Sequence, residues 1–484
     1  MFNTQLLSLG MAKVTATHWW QPGKPERAIP GVLHEVEERG WVLQLDGNFE
    51  TTDFSALAKA GQPVVLPNKR PGEFPVLVGR DSQGHLISLI DCQVLEWSYP
   101  IPTLSGGELQ LWPTILVYGV HFESAEDFRL RSLSVRYTHV DTWVGTHGFT
   151  VNLGTKFYPV EVRYARPEPI ECTLPNDLKV SIEFSASGPA MPITAEARII
   201  QRSWLTVAST TDLPFEKLLE FATDFANLIS LGVGEPLTPL GMSGKCTAQD
   251  PSGNITQASV DLIHNRKPIA PASREVSYFD MLFTLPNIRD RFAELVRAWF
   301  GRDEAFRSLC ALYFGTMRSP FMYVEHRFLN MFQALESFDR RTFQVPPEKL
   351  QARKERLDRI LNAVSNMKER AWLEQALRHS DEPAAADRIR HIVESLHADW
   401  LLSKPNIDLA ASLRNYYTHF DPKIEARLPP IEERVLAMHD LAVRLRVLCE
   451  LVLLNSIGFD IEKVHELIKA TRRLERQMVG AKLG

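Results

Sequence analysis

Cysteine is scarce in this chain: five among 484 residues, odd in number, scattered, and never in a C-x-x-C pair. That excludes a disulfide framework and a cysteine zinc site, fits a reducing cytoplasm, and leaves each thiol as a small buried hydrophobe. Long apolar runs are missing too. None approaches the roughly 18 residues of a membrane span. Residues 1–13 lack a basic stretch followed by an apolar core, so no signal peptide is expected. The chain has no H-E-x-x-H, no G-x-x-x-x-G-K-[ST], no G-x-S-x-G and no acidic cluster of two-metal character. Metalloprotease, P-loop NTPase and typical serine-hydrolase readings therefore have no support. His391 and His397 lie six apart and do not share a helix face at ligand spacing, so no metal or other cofactor is expected.

Charge of one sign is lacking as well. The net charge is −5, divided as +3 over 271–484 and −8 over the rest. A mildly basic C-terminal part is compatible with RNA but equally with an ordinary solvated surface.

What is present is a change of period along the chain. Residues 1–263 are strand-rich. Segments 32–37 and 41–45 alternate around Arg39-Gly40, and 76–78 and 86–90 flank Asp81-Ser82-Gln83-Gly84, giving two hairpin signals. Further strands are predicted at 115–120, 132–139, 149–153, 160–164, 180–184 and 195–207. They imply an antiparallel sandwich or barrel-like arrangement. One helix interrupts them, with Asp212 as its cap and an apolar stripe from Phe215 to Ile229. The polar, proline-punctuated segment 264–275 reads as a linker. From 276 to 484 the period is helical, with helices expected near 288–299, 302–316, 321–340, 347–364, 367–378, 384–398, 408–420, 431–455 and 460–478. Pro346-Pro347, Pro383, Pro405 and Pro429-Pro430 fall between them as breakers. The fold class is α+β multidomain: a β-rich N-terminal region, then an all-α bundle.

One stretch carries chemistry: Leu413-Arg414-Asn415-Tyr416-Tyr417-Thr418-His419. Arginine clamps phosphate with a planar fork of donors, and histidine exchanges a proton near neutral pH. Spacing alone is weak, because arginine followed by histidine after four to six residues occurs five times, at Arg27/His34, Arg80/His85, Arg390/His397, Arg414/His419 and Arg434/His439. Arg414/His419 differs in having Asn415 next to the arginine, a helical setting capped at Asn406 or Asp408, and Pro422 as a stop. Asn415 and His419, four apart, share a face. Arg414 lies roughly 140° from His419 around the helix, so its stem must curl. His419 sits in the last turn, where carbonyls favour a cation. The bland reading is an ordinary helix end with a capping histidine. Tyr416 and Tyr417 read as packing or base-stacking residues. On the helix near 321–340, Glu336 or Glu325 has two readings, orienting Arg414 by a bidentate pair or lying on a solvated face. Arg340 and Arg341 either contact RNA phosphates or complement the helix dipole.

Arg414-Asn415-x-x-x-His419 resembles the signature of HEPN-domain ribonucleases. The segment Tyr323-Val324-Glu325-His326-Arg327-Phe328-Leu329-Asn330-Met331-Phe332-Gln333-Ala334-Leu335-Glu336-Ser337-Phe338-Asp339-Arg340-Arg341 resembles the first HEPN helix of ApeA-type proteins, bacterial anti-phage abortive-infection proteins with a large β-rich N-terminal region. Pro30-Gly31-Val32-Leu33, Gly40-Trp41-Val42-Leu43-Gln44-Leu45-Asp46-Gly47 and Arg136-Tyr137-Thr138-His139-Val140-Asp141-Thr142-Trp143 fit the same layout. The resemblance implies a cytoplasmic, metal-independent endoribonuclease with Arg414, Asn415 and His419 catalytic, and with Tyr416, Tyr417, Glu336 and Arg340 near the substrate. It also implies RNA as partner (tRNA or another structured RNA), a homodimer or higher homo-oligomer formed through the helical half, and a sensor domain at 1–263 answering a phage-derived trigger, with no membrane partner. The alternative is a non-catalytic HEPN interaction module joined to a β-rich protein- or glycan-binding domain.

Overall fold

A computed structural model describes residues 13–471 and 475, apart from 15, 38, 50–71, 98–107, 155–159, 176, 190–196, 250–253, 266–274, 344–346 and 378–381. The strands are β1 (Lys13–Val14), β2 (Ala16–Trp20), β3 (Gly31–Val36), β4 (Gly40–Leu45), β5 (Phe74–Asp81), β6 (Leu86–Trp97), β7 (Leu109–Tyr118), β8 (Arg129–Tyr137), β9 (Phe149–Leu153), β10 (Val160–Tyr164), β11 (Ile170–Thr173), β12 (Leu178–Ser187), β13 (Ile200–Pro214), β14 (Pro239–Gln249) and β15 (Ile255–His264). The helices are α1 (Val140–Val144), α2 (Phe215–Val233), α3 (Leu285–Ile288), α4 (Phe292–Phe300), α5 (Glu304–Met317), α6 (Val324–Thr342), α7 (Pro347–Asn362), α8 (Met367–Leu377), α9 (Ala385–Ser395), α10 (Lys404–His419), α11 (Pro422–Glu425), α12 (Ile431–Ser456) and α13 (Ile461–Ala470). A β-rich antiparallel region followed by an all-helical region is thus the architecture.

The chain divides into two compact units. One holds Met1–Ser230, Leu237–Glu275 and Thr284–Val296; the other holds Leu231–Pro236, Val276–Phe283 and Arg297–Gly484. The division does not fall at one point. Of the segment expected to be a linker, His264 is the last residue of β15 and Asn265 is buried. Residues 266–274 lie outside the described set.

Among the described residues of the β-rich unit, thirteen strands join one antiparallel sheet, ordered β1-β3-β4-β7-β15-β14-β8-β13-β12-β11, with β6, β5 and β2 branching from β7; β9 and β10 form a separate hairpin. The branch has a local cause. One end of β7 pairs with β4 through Leu43↔Leu111, the other with β15 through Ile263↔Leu116, while β6 runs along the whole strand. Asn265 plugs the fork. Its Oδ1 accepts from the Trp41 amide at 2.7 Å, and its Nδ2 donates to the Trp41 and Pro113 carbonyls at 2.7 and 2.8 Å. Gly40 turns the β3–β4 hairpin with φ +77°, and a Cβ there would strike the Asn265 carboxamide, so glycine is required twice over. Alternate residues Leu33, Leu43, Leu45, Leu89, Leu109 and Leu111 pack with Trp19 into one core. The Arg136–Trp143 segment is structural. Tyr137 and Trp143 are buried, and Asp141 Oδ1 accepts from the Ser203 amide at 2.6 Å.

Several local expectations need correction. Asp212 does not cap α2; it lies in β13 and pairs with Arg131 at 2.7 Å, and the helix begins after Pro214. β14 is an addition to the expected strands, since it mixes Gly241, Ser243, Gly244 and Lys245 among its apolar residues and has weak strand propensity. β15 is a second addition, although its Ile255, Thr256, Val260 and Ile263 favour a strand. Ser403, not Asn406 or Asp408, is the N-cap of α10. Pro405 lies in its first turn, where a missing N–H costs nothing.

In the helical unit most residues of α12 from Met438 on are buried, because it is an element the others pack on. On α6, Phe328, Met331, Phe332 and Leu335 make the buried stripe. Buried charges are paired, as their desolvation demands. Glu450, fully buried, accepts from Tyr313 Oη at 2.7 Å and faces Arg446 at 3.3 Å. Asp339 faces Arg388 at 3.4 Å and His391 Nδ1 at 3.5 Å. The segment Thr284–Asn287, in the β-rich unit, closes a capping box on α3.

Candidate functional site

Helix α10 presents Arg414, Asn415 and His419 toward its C-terminal end. It stops where Phe420 adopts a left-handed conformation, φ +50° and ψ +39°, and returns its amide to the Tyr416 carbonyl. That stop leaves His419 exposed in the last turn. Among the described residues no hydrogen bond or ion pair engages its imidazole.

Arg414 does not curl toward His419. Its Nη2 donates to Glu336 Oε2 on α6 at 2.9 Å and its Nη1 to Asn415 Oδ1 at 3.0 Å. The other Glu336 oxygen, Oε1, receives Arg340 Nη2 at 3.3 Å. Glu336 is buried, with 8% of its surface exposed, so the solvated-face reading of this residue fails. Two of the sequence-selected groups, Glu336 and Arg340, therefore join Arg414 and Asn415 in one cluster. The contact is one carboxylate oxygen to each arginine rather than a bidentate pair. The physical result is an arginine whose guanidinium plane is fixed by a carboxylate and an amide, with 28% of its side chain still exposed.

Tyr416 and Tyr417 belong to a different grouping. Tyr416 is buried, its hydroxyl donates to Glu425 Oε1 at 2.8 Å, and Arg434 lies over its ring at 5.0 Å. The hydrogen bond to Glu425 raises the Tyr416 hydroxyl pKa above its usual value. Tyr417 packs edge-on against Tyr416 and Phe420, and burial raises its pKa. Tyr416 thus packs. Tyr417 is half-buried and keeps one side open.

Sequence reasoning missed Arg434 and Glu425, which meet at 3.4 Å. The signal was available: Arg434 is one of the five Arg/His matches and lies one turn before the largely buried run that starts at Met438. Glu336 had a signal too, since it sits on the apolar stripe of α6 one residue beyond Leu335. A charge in such a place needs a partner. Arg341 instead reaches Glu304 at 3.4 Å. Among the described residues no group of His, Cys, Asp or Glu could hold a metal ion. No helix among them is long and apolar enough to cross a membrane.

Two family models match the chain: ApeA N-terminal domain 1 over residues 16–299, and Apea-like HEPN over 329–463. The first alone spans more than half of the sequence.

The chain belongs to the ApeA family.

The first match runs through the β-rich unit as far as the end of α4, and so includes Thr284–Val296, which the contacts also assign to that unit. The HEPN match contains Glu336, Arg340 and the whole of α10, so the cluster around Arg414 lies in the HEPN domain of this ApeA-family chain. No curated protein and no solved structure matches it.

Proposed function

We propose that the helical unit is a metal-independent endoribonuclease, acting in abortive infection under the control of the β-rich unit. The observation that carries this reading is the Arg414 guanidinium, held by Glu336 and Asn415 on the helix that ends in the exposed His419. In the proposed reaction the ribose 2′-hydroxyl attacks the adjacent phosphorus, the 5′-oxygen leaves, and the products carry a 2′,3′-cyclic phosphate and a 5′-hydroxyl. His419 moves the protons as base or acid. Arg414 neutralises charge building on the phosphate oxygens, and Asn415 orients the arginine or holds a phosphate oxygen. In this reading Arg340, exposed beside Glu336, meets a neighbouring phosphate, and Tyr417 stacks on a base. The RNA is a tRNA or another structured RNA, and the trigger a phage-derived protein.

A homodimer through the helical unit is part of the proposal. The apolar helix at 435–454 contributes less surface than its composition suggests, because most of its residues from Met438 on are buried within the unit. The supporting surface lies at helix ends instead. Phe321, Tyr323, Phe420, Ile431 and Leu436 are each more than 60% exposed. A second copy covering these residues would bring two His419 side chains to one RNA.

The deciding experiment incubates the full chain and its His419→Ala variant with RNA in excess EDTA. Cleavage by the parent alone, abolished when the scissile nucleotide lacks its 2′-hydroxyl, is the expected result. No cleavage by the folded parent would favour the non-catalytic interaction-module reading, and a folded His419→Ala protein that cleaves as the parent does would remove His419 from the chemistry.

A further inference from the structure

The β-rich unit contains a cavity of about 360 Å³ on one face of its central strands. That volume lies within the range of small-molecule sites. Its lining follows the strand register. One row of directly paired residues crosses six strands: Tyr118↔Asp261, Asp261↔Ser243, Ser243↔Ser134, Ser134↔Thr206 and Thr206↔Ser181. A second row, two residues along, reads Ser259↔Lys245, Lys245↔Ser132, Ser132↔Ala208 and Ala208↔Lys179. All of these residues line the cavity. The alternate residues on the same strands, such as Leu133, Val135, Val207, Val180 and Leu262, are buried and apolar.

A sheet face that served only stability would carry branched apolar residues at these positions. Here it carries small hydroxyls that are nonetheless buried: Ser134, Thr206, Ser181 and Ser243 are each exposed by 6% or less. Ser134 and Thr206 satisfy each other at 2.8 Å. Among the described residues Ser243 Oγ has no hydrogen-bond partner. Asp261 is a carboxylate with no ion pair among the described residues, and burial alone raises its pKa to about 6. Buried groups of this kind are costly unless something satisfies them. At the other row two lysines flank the small residues Ser132 and Ala208. Lys179 is already paired with Glu171 at 2.7 Å, and Arg131, which also lines the cavity, with Asp212 at 2.7 Å. Among the described lining residues, Lys245 is the lysine left to meet an incoming anion.

We propose that this cavity binds a phosphorylated sugar, either free or as the sugar phosphate of a mononucleotide. The hydroxyl row and Asp261 take the sugar hydroxyls, with the carboxylate accepting. Lys245 takes the phosphate by a charge-assisted hydrogen bond. The binding site stands whether or not the helical unit cleaves RNA.

The test is calorimetric titration of the full chain with ribose 5-phosphate, AMP and adenosine. Both phosphorylated probes bind with a dissociation constant below about 1 mM, and adenosine binds at least tenfold more weakly. Tighter binding of AMP assigns the site to nucleotides, and equal binding of the two assigns it to sugar phosphates. Lys245 is exposed, so Lys245→Glu and the milder Lys245→Gln keep the fold. Lys245→Glu lowers affinity for both phosphorylated probes at least tenfold, and Lys245→Gln lowers it less. The proposal is overturned if neither phosphorylated probe binds, if adenosine binds as well as AMP, or if Lys245→Glu binds as tightly as the parent.

Discussion

At the scale of single residues, the cluster on α10 separates roles that a linear motif merges. Arg414 is oriented by Glu336 and Asn415, whereas His419 stands apart at the helix end. His419→Ala and Arg414→Ala are each expected to slow RNA cleavage on the order of a hundredfold or more, and Asn415→Ala less, since Glu336 still holds the guanidinium. Glu336→Gln keeps the shape but removes the charge. A hydrogen bond to a charged group contributes about 1.5–3 kcal/mol, so a loss of roughly ten- to a hundredfold in single-turnover rate is expected. Rates equal to the parent's would mean that Arg414 needs no orienting partner. Asp261 makes a stability prediction in the opposite direction from most carboxylates. Its folded-state pKa is raised to about 6 by burial. The folded state therefore favours the protonated form. The penalty is absent below the unfolded pKa near 3.8, grows as pH rises, and is complete above about 6. Asp261→Asn should then stabilise the protein at pH 7.5 by roughly 1–2 kcal/mol, after allowance for partial exposure, with the gain gone by pH 4. Thermal melts of both proteins across that range check it.

At the scale of elements, the fork in the sheet depends on one side chain. Asn265→Ala would leave the Trp41 amide, the Trp41 carbonyl and the Pro113 carbonyl without their partner. Unsatisfied buried groups of this kind cost about 1–3 kcal/mol each, and partial relaxation brings the expected loss to about 3 kcal/mol in urea unfolding. A change below about 1 kcal/mol would show that water fills the fork as well as the carboxamide does. The end of α10 illustrates the same dependence on local chemistry. A left-handed residue closes the helix, and here it is Phe420 rather than glycine, at a cost of about 1–2 kcal/mol. The ring is 64% exposed and lies against Tyr416 and Tyr417, so the conformation holds an apolar side chain out at the rim of the site.

At the scale of the whole molecule, the proposed nuclease calls for two copies. Light scattering of the full chain at micromolar concentration should give twice the mass of 54.9 kDa. Leu436, at 67% exposure, contributes little to the folded protomer. Leu436→Asp should therefore leave the thermal midpoint of the protomer nearly unchanged, shift the mass toward one copy, and reduce cleavage in parallel. A monomer with full activity would contradict the paired-site arrangement.

Sequence by itself determined the order of architectures, because strand and helix periods of two and 3.6 residues are local and need no partner to be read. It also marked Arg414, Asn415 and His419 through motif and setting, and it placed most helices to within a few residues. Tertiary structure decided what those side chains touch. Whether Glu336 faces solvent or Arg414 depends on how α6 lies beside α10, and no spacing within either helix encodes that. The same holds for β14 and β15. The weak strand propensity of β14 reads as loop until β8 and β15 supply hydrogen bonds on both sides. Only then do Ser243, Ser134, Thr206 and Ser181, far apart in the chain, become one polar row. Register across a sheet is a long-range property, fixed here by the pairing of strands over a hundred residues apart.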